Sequence, residues 1–265
     1  MIRKLKVALT LPEDCRIHQT MGSVLHGLPM EIVGVNTAEW LHDASGVRPY
    51  SQCVYFDKAC GKAIWEINAL TEQAVHLIQA PVKRCLGAER HLKQKGWLIS
   101  LEKEALVLNE THESLLEQSF CEDVYSRVGF QFLTTCSFKR NGRYVIYPDI
   151  FLLLQSLLAK WNAFAVEEQL EESDLLIVLA EACHVARYQL RSEAFSVDGH
   201  SIYGFSGNYQ LKIYGNDMLR RIWNLLARYA DFSGVGIKAS LGMGAVRTTF
   251  SNKVQHKVTK EDAVD

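Results

Sequence analysis

Four glycines between residues 234 and 244 constrain what this chain can fold into more than any other feature. In Phe232-Ser-Gly-Val-Gly-Ile-Lys-Ala-Ser-Leu-Gly-Met-Gly-Ala-Val-Arg247 they form two G-x-G pairs, Gly234/Gly236 and Gly242/Gly244, around Lys238 and Ser240. Glycine admits positive φ and close backbone approach, and successive N–H groups in such a stretch can converge on an anion. A bulged or tightly turned hairpin uses glycine in the same way. Neither common phosphate loop fits. A dinucleotide-binding G-x-G-x-x-G needs a strand before it and a helix after it, whereas here a helix precedes and a short apolar strand, Met243–Phe250, follows. The G-x-x-x-x-G-K-[ST] of a P-loop is absent.

The 265 residues suffice for one large domain or two smaller ones with proper cores. Hydrophobic residues make up 48% and prolines number five, which predicts a folded globular chain. Seven scattered cysteines without a C-x-x-C spacing suggest neither a disulfide framework nor a zinc site. The N-terminal Met-Ile-Arg-Lys-Leu-Lys lacks an apolar signal region, and the most apolar runs, 150–159 and 175–180, are too short to span a bilayer. A soluble cytoplasmic protein with no membrane partner is expected. Net charge is −1, against indiscriminate nucleic-acid binding. Its distribution is uneven: residues 184–250 carry 8 Lys/Arg against 4 Asp/Glu, whereas 1–183 carry 18 against 23. The C-terminal third is a basic surface suited to a phosphate backbone, or simply a solvated face.

Hydrophobic periodicity orders the elements. Arg3–Leu11 alternates, with Leu5, Val7 and Leu9 on one face and Lys4 and Lys6 on the other, predicting a half-buried strand. A helix follows over Gly22–Val35 and a shorter one over Ala38–Asp43, capped by Thr37. Strands are expected at Gln52–Asp57 and Lys62–Asn68, then a Thr71-capped helix to Ile78 ended by Pro81, then a strand over Trp97–Leu108. This β-α-β-β-α-β order is the ferredoxin-like unit. Glu113–Phe120 reads as a connecting helix. The second half repeats the scheme: strand Gly129–Phe138, an Asn141–Gly142 turn into Arg143–Tyr147, and helix Ile150–Phe164 capped by Asp149. Strands Cys183–Val197 and Gly204–Tyr214, helix Asp217–Tyr229 capped by Asn216, and the glycine loop and last strand complete it. Glu167–Asp174 reads as an acidic solvated stretch, and the apolar-poor 251–265 as a disordered tail. The fold class is therefore α+β, two tandem ferredoxin-like (RRM-like) domains with a C-terminal glycine-rich loop. The expected boundaries are 1–122, 123–250 and a tail at 251–265.

A helix, glycine loop and strand of the form F-x-G-x-G-x-K-x-S-x-G-x-G at the end of such a chain resembles the CRISPR repeat-processing endoribonucleases. Tyr203-Gly-Phe-Ser-Gly-Asn208 is similar to that family's G-F-x-G element, and Pro148–Phe164, ending Trp161-Asn-Ala-Phe164, to its second-domain helix. Trp40-Leu-His-Asp-Ala-Ser-Gly-Val-Arg-Pro-Tyr-Ser51 resembles its first-domain L-H-[ED]…G-x-[KR]-P-[FY]-[ST] segment. The resemblance covers about residues 3–250. It implies metal-independent cleavage of repeat RNA by the RNA's own 2′-OH, leaving 2′,3′-cyclic phosphate and 5′-OH ends. No cofactor and no metal are expected. The expected partner is CRISPR repeat RNA, as precursor and as mature guide. Further effector-complex subunits and a homodimer stay open.

Such chemistry needs a base, an acid and positive charge on the phosphorane. His42 occupies the family's catalytic-histidine position. Arg48 stands where some members have lysine and, always protonated, would act electrostatically. His26 is the second histidine candidate, equally readable as a structural residue; some relatives carry a tyrosine where this chain has Met30. Gly234, Gly236, Lys238, Ser240, Gly242 and Gly244 would hold RNA, with Arg220 and Arg221 on the preceding helix and Arg187 and Arg191 on the long strand pair. Tyr203, Phe205 and Tyr209 read as core residues or as stacking platforms. A catalytically weak relative that holds RNA uncut, as a structural subunit, is the alternative. A nucleotide-binding metabolic enzyme is weaker because no helix follows the loop.

Overall fold

The computed structural model describes residues 1–13, 15–33, 46–92, 94–170, 173–197 and 199–252. The first half opens with β1 (Ile2–Thr10), α1 (Met21–Leu25) and α2 (Gly27–Val33), then β2 (Tyr50–Asp57) and β3 (Lys62–Ala69). The next helical segment is α3 (Glu72–Ala74), a π turn (Val75–Gln79) and α4 (Ala80–Arg84) in succession, before β4 (Glu89–Leu92), β5 (Trp97–Glu110) and α5 (His112–Cys121). The strands form one antiparallel sheet in the order β2-β3-β1-β5-β4. Without the short edge strand β4, this is the ferredoxin-like arrangement.

The second half repeats it: β6 (Arg127–Cys136), the small hairpin β7 (Phe138–Arg140) and β8 (Arg143–Val145), α6 (Ile150–Phe164) and α7 (Ser173–Glu181). Then come β9 (Cys183–Val197), β10 (His200–Ile213), α8 (Asp217–Ser233), a 3-10 turn (Ala239–Leu241) and β11 (Val246–Ser251). Their sheet order β11-β6-β10-β9 is again ferredoxin-like. The fold is α+β, with the β-α-β-β-α-β unit occurring twice.

Local chemistry explains most boundaries. Asp149, Asn216 and Thr71 each accept a backbone N–H two or three residues into the helix they begin, and Thr111 and Ser114 make a reciprocal capping box on α5. Asn141 and Gly142, both at positive φ, turn β7 into β8. Pro81 does not end its helix. It follows the π turn at the start of α4, a place where its missing N–H removes no regular ladder bond. The apolar run after Glu167–Asp174 forms α7, and β4 is a further element that periodicity does not announce. The Ala38–Asp43 helix and all of the 251–265 tail beyond Asn252 lie outside the described residues, while Ser251 belongs to β11.

Two main cores result. One packs Leu5, Val7, Leu25, Trp65, Val82 and Leu101 between the first sheet and its helices. The other centres on Phe130, Leu157, Trp161, Trp223 and Tyr229, and takes in Ile2, Leu70 and Leu115 from the first half. That continuity corrects one expectation. The alternation of β1 predicts a solvated lysine face, yet Lys4 is only 5% exposed. Its Nζ lies 3.1 Å from Glu66 Oε1 and donates at 3.1 Å to the carbonyl of Asp231, on α8. Arg247, on β11, pairs with the same fully buried Glu66, and Lys6 lies 3.7 Å from it. Burial pushes the Glu66 carboxyl up, but Lys4 and Arg247, then Lys6, together hold it below its ordinary range.

Candidate active site and RNA interface

The glycine loop is a packing device before it is anything else. Gly234, Gly236, Gly242 and Gly244 all lie at positive φ, and Lys238 joins them at φ 53°. A Cβ on Gly244 would sit 1.8 Å from the carbonyl oxygen of Val235, and one on Gly236 would sit 2.4 Å from that of Ser137. The amides are used in the same way. Gly236 N donates to Ser156 Oγ (2.8 Å), Ile237 N to Ser137 O (3.0 Å), and Gly244 N to Thr135 O (2.9 Å). Val235 N, Leu241 N, Gly242 N and Met243 N donate to carbonyls within the loop. The glycine N–H groups thus tie the loop to its own scaffold, and what it turns outward is Lys238, with Ser240 half-exposed beside it. Beneath it, Phe195, Val197, Ile202 and Met243 make a small separate core with Ile237 and Leu241.

Lys160 anchors the start of the loop. Its Nζ donates to the carbonyls of Ser233 (3.3 Å) and Gly234 (2.9 Å), the free end of α8, where a cation is favoured by the helix dipole. Burial lowers its pKa to about 8. The sequence carries a signal for this: Lys160 is the sole charged residue of α6 and falls on the apolar stripe with Leu153 and Leu157.

The first half meets the loop directly. Gly22 of α1 faces the 3-10 turn so closely that a Cβ would lie 2.9 Å from Leu241 O. Gln52, on β2, donates to both Gly22 O (3.1 Å) and Ser240 O (2.7 Å), while Trp65 Nε1 donates to its Oε1 (2.6 Å). A cavity of about 330 Å³ opens at this junction, with Arg48 and Tyr50 on one side and Lys160, Gly236, Lys238 and Ser240 on the other. Arg48 Nη1 is buried and has no hydrogen-bond partner among the described residues. At the edge, Tyr50 Oη lies 2.7 Å from His26 Nδ1, with the two rings parallel.

So Arg48, Lys238 and Ser240 come together, with His26 one hydrogen bond behind Tyr50. His42 lies outside the described residues. None of Arg187, Arg191, Arg220 and Arg221 lines the cavity. Arg221 donates to the carbonyls of Ser119 and Glu122 at the end of α5, and Arg220 pairs with Asp217. Arg187 and Arg191 lie exposed on edge strand β9, Arg191 paired with Glu193. Of the alternating aromatics, Phe205 and Tyr209 are core residues and Tyr203 is 60% exposed. Met30 packs against the first core. Among the described residues no cluster of three His, Cys, Asp or Glu side chains is arranged to hold a metal ion, and no helix is long and apolar enough to cross a membrane.

Residues 130–246, from the middle of β6 to the start of β11, match the family model of CRISPR-associated endoribonuclease Cas6. Over this stretch the chain is similar to the Cas6 family. A CRISPR-associated endoribonuclease Cas6 of Mycobacterium tuberculosis is 29% identical over 91% of this chain and 77% of its own length. One from Streptococcus thermophilus is 28% identical over 86% and 91% respectively. A solved Cas6 product complex superposes with a TM-score of 0.76 at 21% identity, covering 94% of this chain and all of the other. The Cas6 likeness thus extends over both sheets, including the half beyond the family model's reach.

Proposed function

We propose that this protein is a metal-independent endoribonuclease that cuts precursor CRISPR RNA within its repeats. The observation that carries the reading is the cavity between the two halves: Arg48, one of whose guanidinium nitrogens is buried without a partner among the described residues, lines the same space as Lys238 and Ser240. Two cations converging on a concave site suit a phosphodiester whose charge rises to a dianionic phosphorane during cleavage. The relatives named Cas6 endoribonucleases support the same activity.

In this reading the RNA 2′-OH loses its proton to a histidine and attacks the adjacent phosphorus. Arg48 and Lys238 stabilise the extra charge, and a second proton donor releases the 5′-oxygen. The products are a 2′,3′-cyclic phosphate and a 5′-OH. His42 and His26 are the histidines assigned to the proton transfers, imidazole being the side chain that most readily exchanges a proton near neutral pH. The tip of the glycine loop grips the backbone, and the basic edge strand with Arg187 and Arg191 extends the path of the RNA. The expected units are 1–122, with the proton-transfer residues, and 123–250, with the loop. Met30, where some relatives carry tyrosine, favours a second reading in which the chain holds repeat RNA without cutting it, as a subunit of an effector complex.

Incubation with the cognate repeat RNA in EDTA separates the two. The nuclease reading predicts a single cut bearing 5′-OH and cyclic-phosphate ends. Tight binding with intact RNA would instead establish the second reading.

A further inference from the structure

One buried hydroxyl beside the cavity has no part in the steps above. Tyr50 is 2% exposed, at the start of β2 and two residues after Arg48. Its ring lies parallel to that of His26, with centroids 6.0 Å apart, and its Oη is 2.7 Å from Nδ1. The histidine sits at the junction of α1 and α2, its backbone N–H bonded to Gly22 O. Both elements are fixed: α1 abuts the 3-10 turn through Gly22, and Gln52 ties Gly22 to Ser240 two residues along β2 from Tyr50. The phenol–imidazole pair is therefore held by the same contacts that hold the loop.

Chemistry fixes the direction of the bond. A phenol is a stronger acid than a neutral imidazole N–H, and the imidazole lone pair is a better acceptor than a phenolic oxygen, so O–H···N is the favoured form. Burial raises the Tyr50 pKa further, against the smaller influence of Ser240 and Arg48, and keeps the proton on the oxygen.

We propose that Tyr50 is a positioning residue: its hydroxyl donates to His26 Nδ1, fixes the Nε2–H tautomer and directs any proton transfer by His26 through Nε2. The inference rests on the nuclease reading for its consequence, but not for the tautomer. A histidine held as neutral Nε2–H with its ring immobilised gives that hydrogen bond along one direction, and it becomes a proton donor to the 5′-oxygen only after Nδ1 has taken up a proton, the Tyr50 hydroxyl then turning to accept from it.

The test is Tyr50→Phe, which keeps the stacked ring and removes the hydroxyl. Nitrogen-15 spectra of the imidazoles in RNA-free protein, with His26 assigned through His26→Gln, should show the Nε2–H form in the parent and a mixture of tautomers in Tyr50→Phe. Single-turnover cleavage by Tyr50→Phe should fall about 10-fold, with a shifted pH–rate profile and RNA affinity within about 2-fold of the parent. An Nδ1–H tautomer in the parent overturns the proposal, as does an unchanged tautomer together with an unchanged pH–rate profile in Tyr50→Phe. A parent that cuts no repeat RNA but shows the Nε2–H form overturns the nuclease reading alone and upholds the hydrogen bond.

Discussion

At the scale of single residues, burial separates the charged groups that build the fold from Arg48, which the proposed function assigns to an anion. Lys4, Lys160 and Arg221 are each bonded to carbonyl oxygens of the protein, whereas Arg48 Nη1 is buried with no such partner among the described residues. Arg48→Ala should therefore lower cleavage by about 10²–10³ with little loss of fold stability. His42→Ala should lower it by about 10²–10⁴ with RNA affinity retained. Single-turnover kinetics beside filter binding reads both. Loss of binding in His42→Ala would make that residue structural. His112 offers a contrasting histidine. It is enclosed by Trp161 and Tyr229, and burial, with the N-terminal ammonium nearby, lowers its pKa to about 4. The unfolded chain takes up this proton near pH 6.5 and the folded chain near 4. Its contribution is thus whole above 6.5 and is lost as pH falls through that window, by at most roughly 3 kcal/mol. Urea unfolding at pH 7 and pH 5 should show the loss, and His112→Phe should flatten it. Neither environment is written locally. A lone histidine in sequence looks the same in a core as in an active site.

At the scale of elements, the glycine loop makes the sharpest prediction. Gly244→Ala places a methyl 1.8 Å from Val235 O at a φ of 66°, and should cost about 2–4 kcal/mol. Gly27→Ala, with nothing within 4 Å and no positive φ, should be close to neutral. Equal stabilities for the two in chemical denaturation would mean that the loop yields and its close packing is not needed. Elements with local chemistry were legible in the sequence: caps at Thr71, Asp149 and Asn216, the Asn141–Gly142 turn, and the alternation of β1. Those set by non-local contacts were not. Pro81 reads as a terminator until a π turn shifts the hydrogen-bond register ahead of it. Four-residue β4 exists because β5 offers it an edge, and α7 is an apolar run too short to declare its period. The loop shows the same division. Its glycines announce tight geometry and its lysine a polar tip, but the assignment of its amides to Ser137, Ser156 and Thr135 comes from distant strands and helices.

At the scale of the whole molecule, the two halves are joined by buried polar contacts as well as by a shared core. Glu66 gathers Lys4, Lys6 and Arg247, Ser51 Oγ donates to Phe232 O, and Gln52 reaches Ser240. Removing the carboxylate leaves Lys4 and Arg247 without their partner, so Glu66→Gln should destabilise by about 3–5 kcal/mol. It should also weaken RNA cleavage by loosening the junction that holds the cavity. Because the folded carboxyl titrates below its ordinary range, this stabilisation is present above about pH 4.5 and is lost as pH falls further. Thermal unfolding of Glu66→Gln beside the parent checks the first effect, and an unchanged midpoint would contradict it. The tandem architecture was legible because its element order repeats. The meeting of Arg48 with Lys238 was not, since 190 residues separate them and only the packed sheets bring them together.

In the proposed reaction this junction holds one scissile phosphate while the RNA's own 2′-OH attacks it. The most direct measurement compares cognate repeat RNA with the same RNA carrying a single 2′-deoxy nucleotide at the cut site, in EDTA, under single-turnover conditions. Binding should be nearly equal for the two, with cleavage seen only for the unmodified RNA. A cut in the 2′-deoxy substrate at a comparable rate would rule that reaction out.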